Sequence, residues 1–454
     1  MNKNTRMITT EKEGRVIIRL TGPMLLGILG MIIFNLMDTF YVGRLGTIEL
    51  AALSFTFPVV LVISSIAHGL GVGMTATVSR AAGEENREKQ IGLITWGLIL
   101  SFLVVVIFVI IGLLTINPLF SLLGADVKTL PVIREYMSIW YWGVIFVVIP
   151  MTGNAAIRGM GDTRTPALVM MIAAGINTIL DPLLIFGLGP FPHMGVKGAA
   201  IATVCSRALT FLVACYILIY REKVISFKDR SISQIMKYLK ELLHIGIPNA
   251  LTKMIIPLAM GTITGLIAVH GREAVAGFGV ATRLEMFAIM PIHALISVLP
   301  VFIGQNLGAG KEERVLRGIR VSGKFTLIYG AGAYALLILT AHPVGFLFNN
   351  NPLVVEVIVS YLRIVPLAYG IQGIMLIGVT SLNVLKKPIH AAILTIIQMF
   401  GLYVPMAVIG SRVLGISGIF GSLAISYLIM GPVSYMITRR YVIGINRTPL
   451  RESA

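Results

Sequence analysis

The chain has 454 residues, of which 56% are apolar and only 13% charged, and its mean hydropathy is +0.89. A water-soluble fold of this length could not cover so apolar a surface, so the composition excludes a soluble domain. The formal charge of +17 brings nucleic acid to mind, but the positions of the basic residues give it a different source.

The charged residues fall in short clusters between long apolar stretches. Twelve stretches are each long enough for the roughly 20 helical residues that cross a hydrocarbon core. They run from 16 to 41, 50 to 79, 91 to 115, 132 to 157, 165 to 187, 197 to 220, 241 to 269, 275 to 304, 322 to 346, 353 to 381, 389 to 411 and 416 to 438. They are read as helices, because the strands of a membrane barrel would alternate apolar and polar residues. The first is too long for a signal-peptide core and lacks a small-residue cleavage site. The two cysteines, Cys205 and Cys215, lie ten apart in one apolar segment, which supports neither a disulfide framework nor a thiolate metal site.

With both termini in the cytoplasm, most of the 37 Lys and Arg fall on the inside, among them Lys12, Arg15, Arg87, Lys228, Arg230, Arg314 and Arg317. The positive-inside rule therefore accounts for the basic charge without nucleic acid. The connection from Arg221 to Lys240 has six basic residues and no Gly or Pro, and predicts a short amphipathic helix on the cytoplasmic surface. It divides the chain into an N-terminal lobe, 1–220, a linker, 221–240, and a C-terminal lobe, 241–454.

An internal repeat sharpens the fold. At an offset of 225, Pro23 aligns with Pro248, Gly46 with Gly271, Ala51 with Ala276, His68 with His293 and Gly83 with Gly308. Pro166 meets Pro388 at 222, and Gly195 and Gly198 meet Gly415 and Gly418 at 220. Six spans is an even number, so both copies enter the membrane in the same direction. The expected fold is an all-α polytopic membrane protein of two parallel six-helix bundles, related by a pseudo-two-fold axis along the membrane normal. A central cavity follows, exposed to each side in turn as the halves rock. Such duplication suits a secondary transporter better than a channel or an enzyme.

Carboxylates inside a span call for a partner or a function. Asp38 lies in the outer half of the first span, three residues after Asn35. Asp181 reaches a similar depth in the fifth span, four residues after Asn177, with Pro182 bending the helix beside it. Thr203 enters the sixth span to about the same level. Together these groups form an oxygen cage for a cation, sodium if the chain is sodium-coupled, or a coupled pair holding one proton. The second copy has Ile263 opposite Asp38 and Tyr403 opposite Asp181, which places ion coupling in the first half. Phe34, Asn35, Met37 and Asn154 are expected at the substrate cavity. Lys253, Arg283, Glu285, Gln372, Asn383 and Gln398 are the polar residues in or near second-half spans. Arg283 and Glu285 are two apart and on different faces. The glycines at 27–30 and 69–73 are read as close helix packing, since no phosphate-loop lysine follows.

The runs Phe34-Asn-Leu-Met-Asp38 and Asn177-Thr-Ile-Leu-Asp181-Pro182, the proline 15 residues before Asp38 and the two six-helix repeats resemble the multidrug and toxic compound extrusion (MATE) family. Val42-Gly-Arg-Leu-Gly46, Arg158-Gly-Met-Gly-Asp162 and Gly198-Ala-Ala-Ile-Ala-Thr203 are similar to its loop and helix signatures. The resemblance implies an antiporter of the cell membrane that expels amphiphilic, often cationic, compounds as sodium ions or protons flow in. It implies that Asp38, Asn177, Asp181 and Thr203 hold the cation and that the first helix bends at Pro23. No cofactor beyond the transported ion, no nucleic acid and a monomer are expected. The stretches near Ile256 and Gly370 lack carboxylates that one branch carries, so the chain looks closer to the branch typical of archaea and many bacteria. A tyrosine often found before the first-span aspartate is Phe34 here. The rival readings are a flippase for a lipid-linked precursor, which would need a cavity rich in Arg and Lys, and a membrane transferase, which would need clustered metal ligands.

Overall fold

The structure, a computed structural model, describes residues 3–228 and 231–445, and among these no strand occurs. The first half contains α1 (Lys3–Thr10), α2 (Glu13–Gly43), α3 (Thr47–Gly83), α4 (Arg87–Leu122), α5 (Thr129–Gly143), α6 (Ile145–Gly159), α7 (Arg164–Phe186) and α8 (Gly195–Tyr216). The second contains α9 (Ile232–Ala268), α10 (Arg272–Ala288), α11 (Met290–Gly308), α12 (Glu312–Phe348), α13 (Pro352–Ile364), α14 (Tyr369–Val384), α15 (Pro388–Ile396) and α16 (Val404–Ile445).

All twelve expected spans fall on these helices. Four are interrupted: the fourth is α5 then α6, the eighth α10 then α11, the eleventh α15 then α16 across a π-helical stretch at Ile397–Tyr403, and the tenth α13 then α14 across a 3-10 turn at Val365–Ala368, which holds Pro366. A proline has no N–H for the i−4 carbonyl, and the tighter turn absorbs that loss. The last two spans share one helical run that breaks at Gly415, with φ 60° and ψ −140°, a conformation a side chain would strain. Apolar side chains in mid-helix stay exposed, Leu114 at 76% and Leu339 at 80%, as a lipid-facing band requires. The chain is a multi-pass membrane protein.

The helices gather into two compact units, one of residues 22–250 and the other of 1–21 with 251–454. The divisions fall inside α2, one residue before Pro23, and inside α9, two residues after Pro248, the prolines that the repeat pairs.

In the unit of 22–250, small residues set the helix spacing. A Cβ on Gly27 would lie 2.9 Å from the Ala167 Cα, and one on Gly30 3.2 Å from the Met171 Cα, so α2 and α7 run side by side in the same direction. Gly73 of α3 is as close to the Leu242 carbonyl of α9, at 2.6 Å from a built Cβ. Without a hydrophobic driving force between helices in lipid, such backbone approach supplies the van der Waals contact that holds them. Aromatic and aliphatic side chains fill the rest, with Phe120, Ile133, Met137 and Tyr141 buried in one cluster and Met74, Val78, Leu93 and Ile94 in another. Among the described residues of the connection no separate amphipathic helix occurs, contrary to expectation. Residues 223–228 run without helix along α4, where the Ser226 N–H donates to Thr95 Oγ1 at 3.2 Å and Arg87 donates to the Glu222 carbonyl. The polar residues from Ile232 to Lys240 form the first turns of α9, because nothing before Gly246 breaks the helix.

The other unit is centred on aromatic residues. Tyr361 and Phe420 meet edge to face at 4.9 Å, and Phe278 stacks on Phe420 at 6.2 Å. The N-terminal segment is strapped to this unit. Asn306 and Lys311 donate to the carbonyls of Ile8 and Thr9 at 3.3 and 3.0 Å, and Arg314 donates to the Ile8 carbonyl at 3.2 Å and to that of Glu11. Glu13 pairs with Arg314 at 3.3 Å and with Arg317 at 2.9 Å. Arg314 and Glu13 are 10% and 14% exposed, so the pair is only thinly screened by solvent. Removing one member leaves the other underpaired, and Glu13→Gln should weaken the strap by about 1–3 kcal/mol. The expected result is faster amide exchange across residues 4–11 with the exchange of α14 unchanged; equal protection in both proteins would contradict it.

Candidate functional site

The four residues expected to form an oxygen cage, Asp38, Asn177, Asp181 and Thr203, all belong to the unit of 22–250. From the contact between Gly30 and the Met171 to Ala174 turn, Asp38 is eight residues further along α2 and Asp181 seven beyond Ala174 on α7. At 1.5 Å per residue both carboxylates lie about 10–12 Å past that contact, at a shared level. α8 returns antiparallel to α7, and Gly198 sits so close to Leu184 that a Cβ there would clash with the Leu184 carbonyl. Counting back from this contact, Asp181 is three residues away on α7 and Thr203 five on α8, which puts them within about one turn of each other. Gly187, with φ 68°, ends α7 as a left-handed cap whose N–H donates to the Leu183 carbonyl. That turn returns the chain into α8 and fixes the pairing.

Asn177 Nδ2 donates to Asp181 Oδ1 at 3.1 Å, and both residues are fully buried. Asp38 acts electrostatically on Asp181, and both act on Tyr136 of α5, which is 6% exposed. Asp38 Oδ1, Asn177 Oδ1, Asp181 Oδ2 and Thr203 Oγ1 are all buried without a hydrogen-bond partner. Buried polar atoms are nearly always satisfied, and leaving one bare costs about 1–3 kcal/mol. Four orphaned oxygens at one level, two of them from carboxylates, have the chemistry that could hold a small hard cation or protons shared between acids. Thr178 Oγ1 and Asn154 Oδ1, on α7 and α6, are further unpartnered oxygens of the same unit.

Phe34 is buried, one turn before Asp38 on α2. Asn154 is buried on α6. Asn35 is exposed and Met37 half-buried, and neither makes a side-chain bond to the four cage residues. Pro23 lies inside α2.

Two residues of this region were not singled out by sequence reasoning. Tyr136 gives no signal beyond a tyrosine in an apolar span. Arg207 does give one, as a basic residue inside the sixth span, four after Thr203 and so on the same face of α8. Its guanidinium carbon lies 4.5 Å from the centre of the Phe34 ring, and its charge acts on Asp38.

The corresponding positions of the second unit are closed. Ile263 is fully buried and Tyr403 1% exposed, both in the apolar core. Several of its polar residues find partners, while Ser322 Oγ, Tyr369 Oη and Gln372 Oε1 are buried without one. Tyr361 donates to Glu285, Gln372 donates to the Tyr427 hydroxyl at 3.1 Å, and Gln398 donates to Ser426 at 2.8 Å. Lys253 and Arg283 are exposed.

The comparison with known proteins agrees with this frame. The MatE family model matches twice, over residues 23–183 and 248–409, so each match begins at or beside one of the two repeat-related prolines. A Shewanella oneidensis protein named FAD transporter is 40% identical over 427 residues, covering 94% of each chain. A Bacillus subtilis protein named probable multidrug resistance protein YoeA is 27% identical, covering 86% of this chain and 85% of its own. Among solved structures, the bent form of the Vibrio cholerae MATE transporter VcmN superposes with a TM-score of 0.89 at 28% identity, over 98% of this chain and 99% of that one.

Proposed function

From the premise that the chain belongs to the MATE family of multidrug efflux transporters, and is a transporter and not an enzyme, we propose that it is a cation-coupled antiporter exporting small amphiphilic molecules from the cytoplasm. The observation that carries the coupling is the set of four buried, unpartnered oxygens on Asp38, Asn177, Asp181 and Thr203. A proton or a sodium ion satisfies them in one state. In the other, the bare carboxylates favour a different packing of α2 against α7, and the substrate leaves or enters. The N and C termini face the cytoplasm of a cell-membrane protein, as the distribution of basic residues directs.

Two substrate classes fit this cycle. The relatives named for multidrug resistance support amphiphilic, often cationic, compounds. The relative named FAD transporter is more similar, at 40% identity over 94% of the chain, and supports a flavin dinucleotide, itself amphiphilic through a planar ring system and a diphosphate. That makes the dinucleotide the first substrate to test. Proteoliposomes under an inward sodium or proton gradient should export flavin adenine dinucleotide faster than ungradiented vesicles. A fluorescent organic cation and a lipid-linked diphosphate, measured beside it, decide between the drug and flippase readings. If none of the three responds to either gradient, the coupled-export reading fails.

A further inference from the structure

Arg207 is a permanent cation inside a membrane helix, and its setting is unusual. The residue is half-buried, its Nε is buried with no hydrogen-bond partner, and among the described residues its guanidinium makes no hydrogen bond or ion pair. What it touches is the Phe34 ring, at 4.5 Å. Asp38, one turn along α2, feels its charge and likewise keeps a buried oxygen without a partner. Opposite charges that act on each other in a low-dielectric span, each with unspent bonding capacity, are expected to pair. Their separation is therefore informative. Resting a guanidinium on an aromatic face costs little and leaves its fork of donors free. Position 34 supports that arrangement, because phenylalanine offers a ring face and no hydroxyl to compete for Asp38 or for the arginine.

The charge count points the same way. Asp38 and Asp181 together carry two negative charges when ionised, and Arg207 returns one, so the cluster needs a single monovalent cation to reach neutrality. Tyr136, on which both acids also act, is buried. We propose that Arg207 is a tethered stand-in for the coupling cation: it rests on Phe34 while the cage oxygens hold the transported ion and swings onto Asp38 when that ion departs. The empty cage then never presents a net double charge to the membrane interior, and the substrate-carrying step proceeds with Asp38 neutralised from within. Arg207 acts through Asp38 and touches neither ion nor substrate, so it is a positioning residue. The inference rests on the cage being the coupling site.

The test uses full-length protein in proteoliposomes, driven by whichever gradient, sodium or proton, drives the wild type. It reads the concentration of driving cation that half-saturates export, together with the maximal rate. Arg207→Gln removes a repelling charge beside the cage, so the half-saturating concentration should fall about tenfold, for either ion. The maximal rate should fall as well, because the empty cage is left bare. Arg207→Lys keeps the charge and should stay within about twofold of wild type in half-saturation. A role in packing alone would lower the rate in both variants with half-saturation unchanged, and that result overturns the proposal. Export by Asp38→Asn with wild-type ion dependence would instead show that the cage is not the coupling site.

Discussion

Asp38→Asn is expected to reduce gradient-driven export at least about 100-fold while the protein still inserts, purifies as a single species and melts near the wild-type temperature. The amide keeps the shape of the carboxyl but removes its charge, and one charge at ligand distance is worth several kcal/mol to a cation even at a protein-like dielectric. Asp38 makes no hydrogen bond that the fold depends on, and its Oδ1 is already unpartnered. Losing the charge should therefore harm ion binding far more than stability. The measurement is efflux from proteoliposomes beside a thermal melt of the same preparation. Export above a tenth of wild type, or a collapse in stability with export per folded molecule preserved, would contradict the assignment.

Gly198→Val should damage both the fold and the site. A side chain at 198 would strike the Leu184 carbonyl, which is backbone and cannot rotate aside. α8 must then move away from α7, and Thr203, five residues on, moves with it. Overpacking of this kind costs about 1–3 kcal/mol, which should lower the unfolding midpoint by roughly 2–6 °C. The half-saturating concentration of the driving cation should rise about tenfold as Thr203 Oγ1 leaves the cage. Gly175→Ala is the control, since no heavy atom lies within 4 Å of its built Cβ. It should match wild type in both readings. If Gly198→Val melts normally and keeps its ion affinity, the α7–α8 contact does not set the cage.

Much of this was legible before the structure. Span length and hydropathy locate every membrane segment because lipid permits almost nothing but a helix there, and the prolines and glycines of the repeat mark equivalent turns. The glycine runs announced close packing, and Gly27, Gly30 and Gly73 do bring helices into backbone contact. The acids were conspicuous because charge is rare in an apolar span. What local sequence could not give is tertiary. That Arg314 would hold α1 through carbonyls of Ile8 and Glu11 depends on residues about 300 positions apart. The first turns of α9 read as a surface helix because their basic residues resemble one, and only their continuity with the apolar part shows otherwise. Arg207 stood out less because a guanidinium offers no oxygen to a cation, so its residue type alone assigns it no place beside the acids. The spacing of four from Thr203 was visible, but the ring of Phe34 beneath it was not.

The most direct measurement is the simultaneous flux of cation and substrate across a membrane holding only this protein. Vesicles loaded with substrate and a sodium or pH indicator, then exposed to the driving cation outside, should show ions entering as substrate leaves, in a fixed ratio. Both fluxes should vanish together in Asp181→Asn. Substrate that leaves with no accompanying ion entry, or an Asp181→Asn protein whose two fluxes stay locked at the wild-type ratio and rate, would show that the buried oxygens of α2, α7 and α8 do not drive transport.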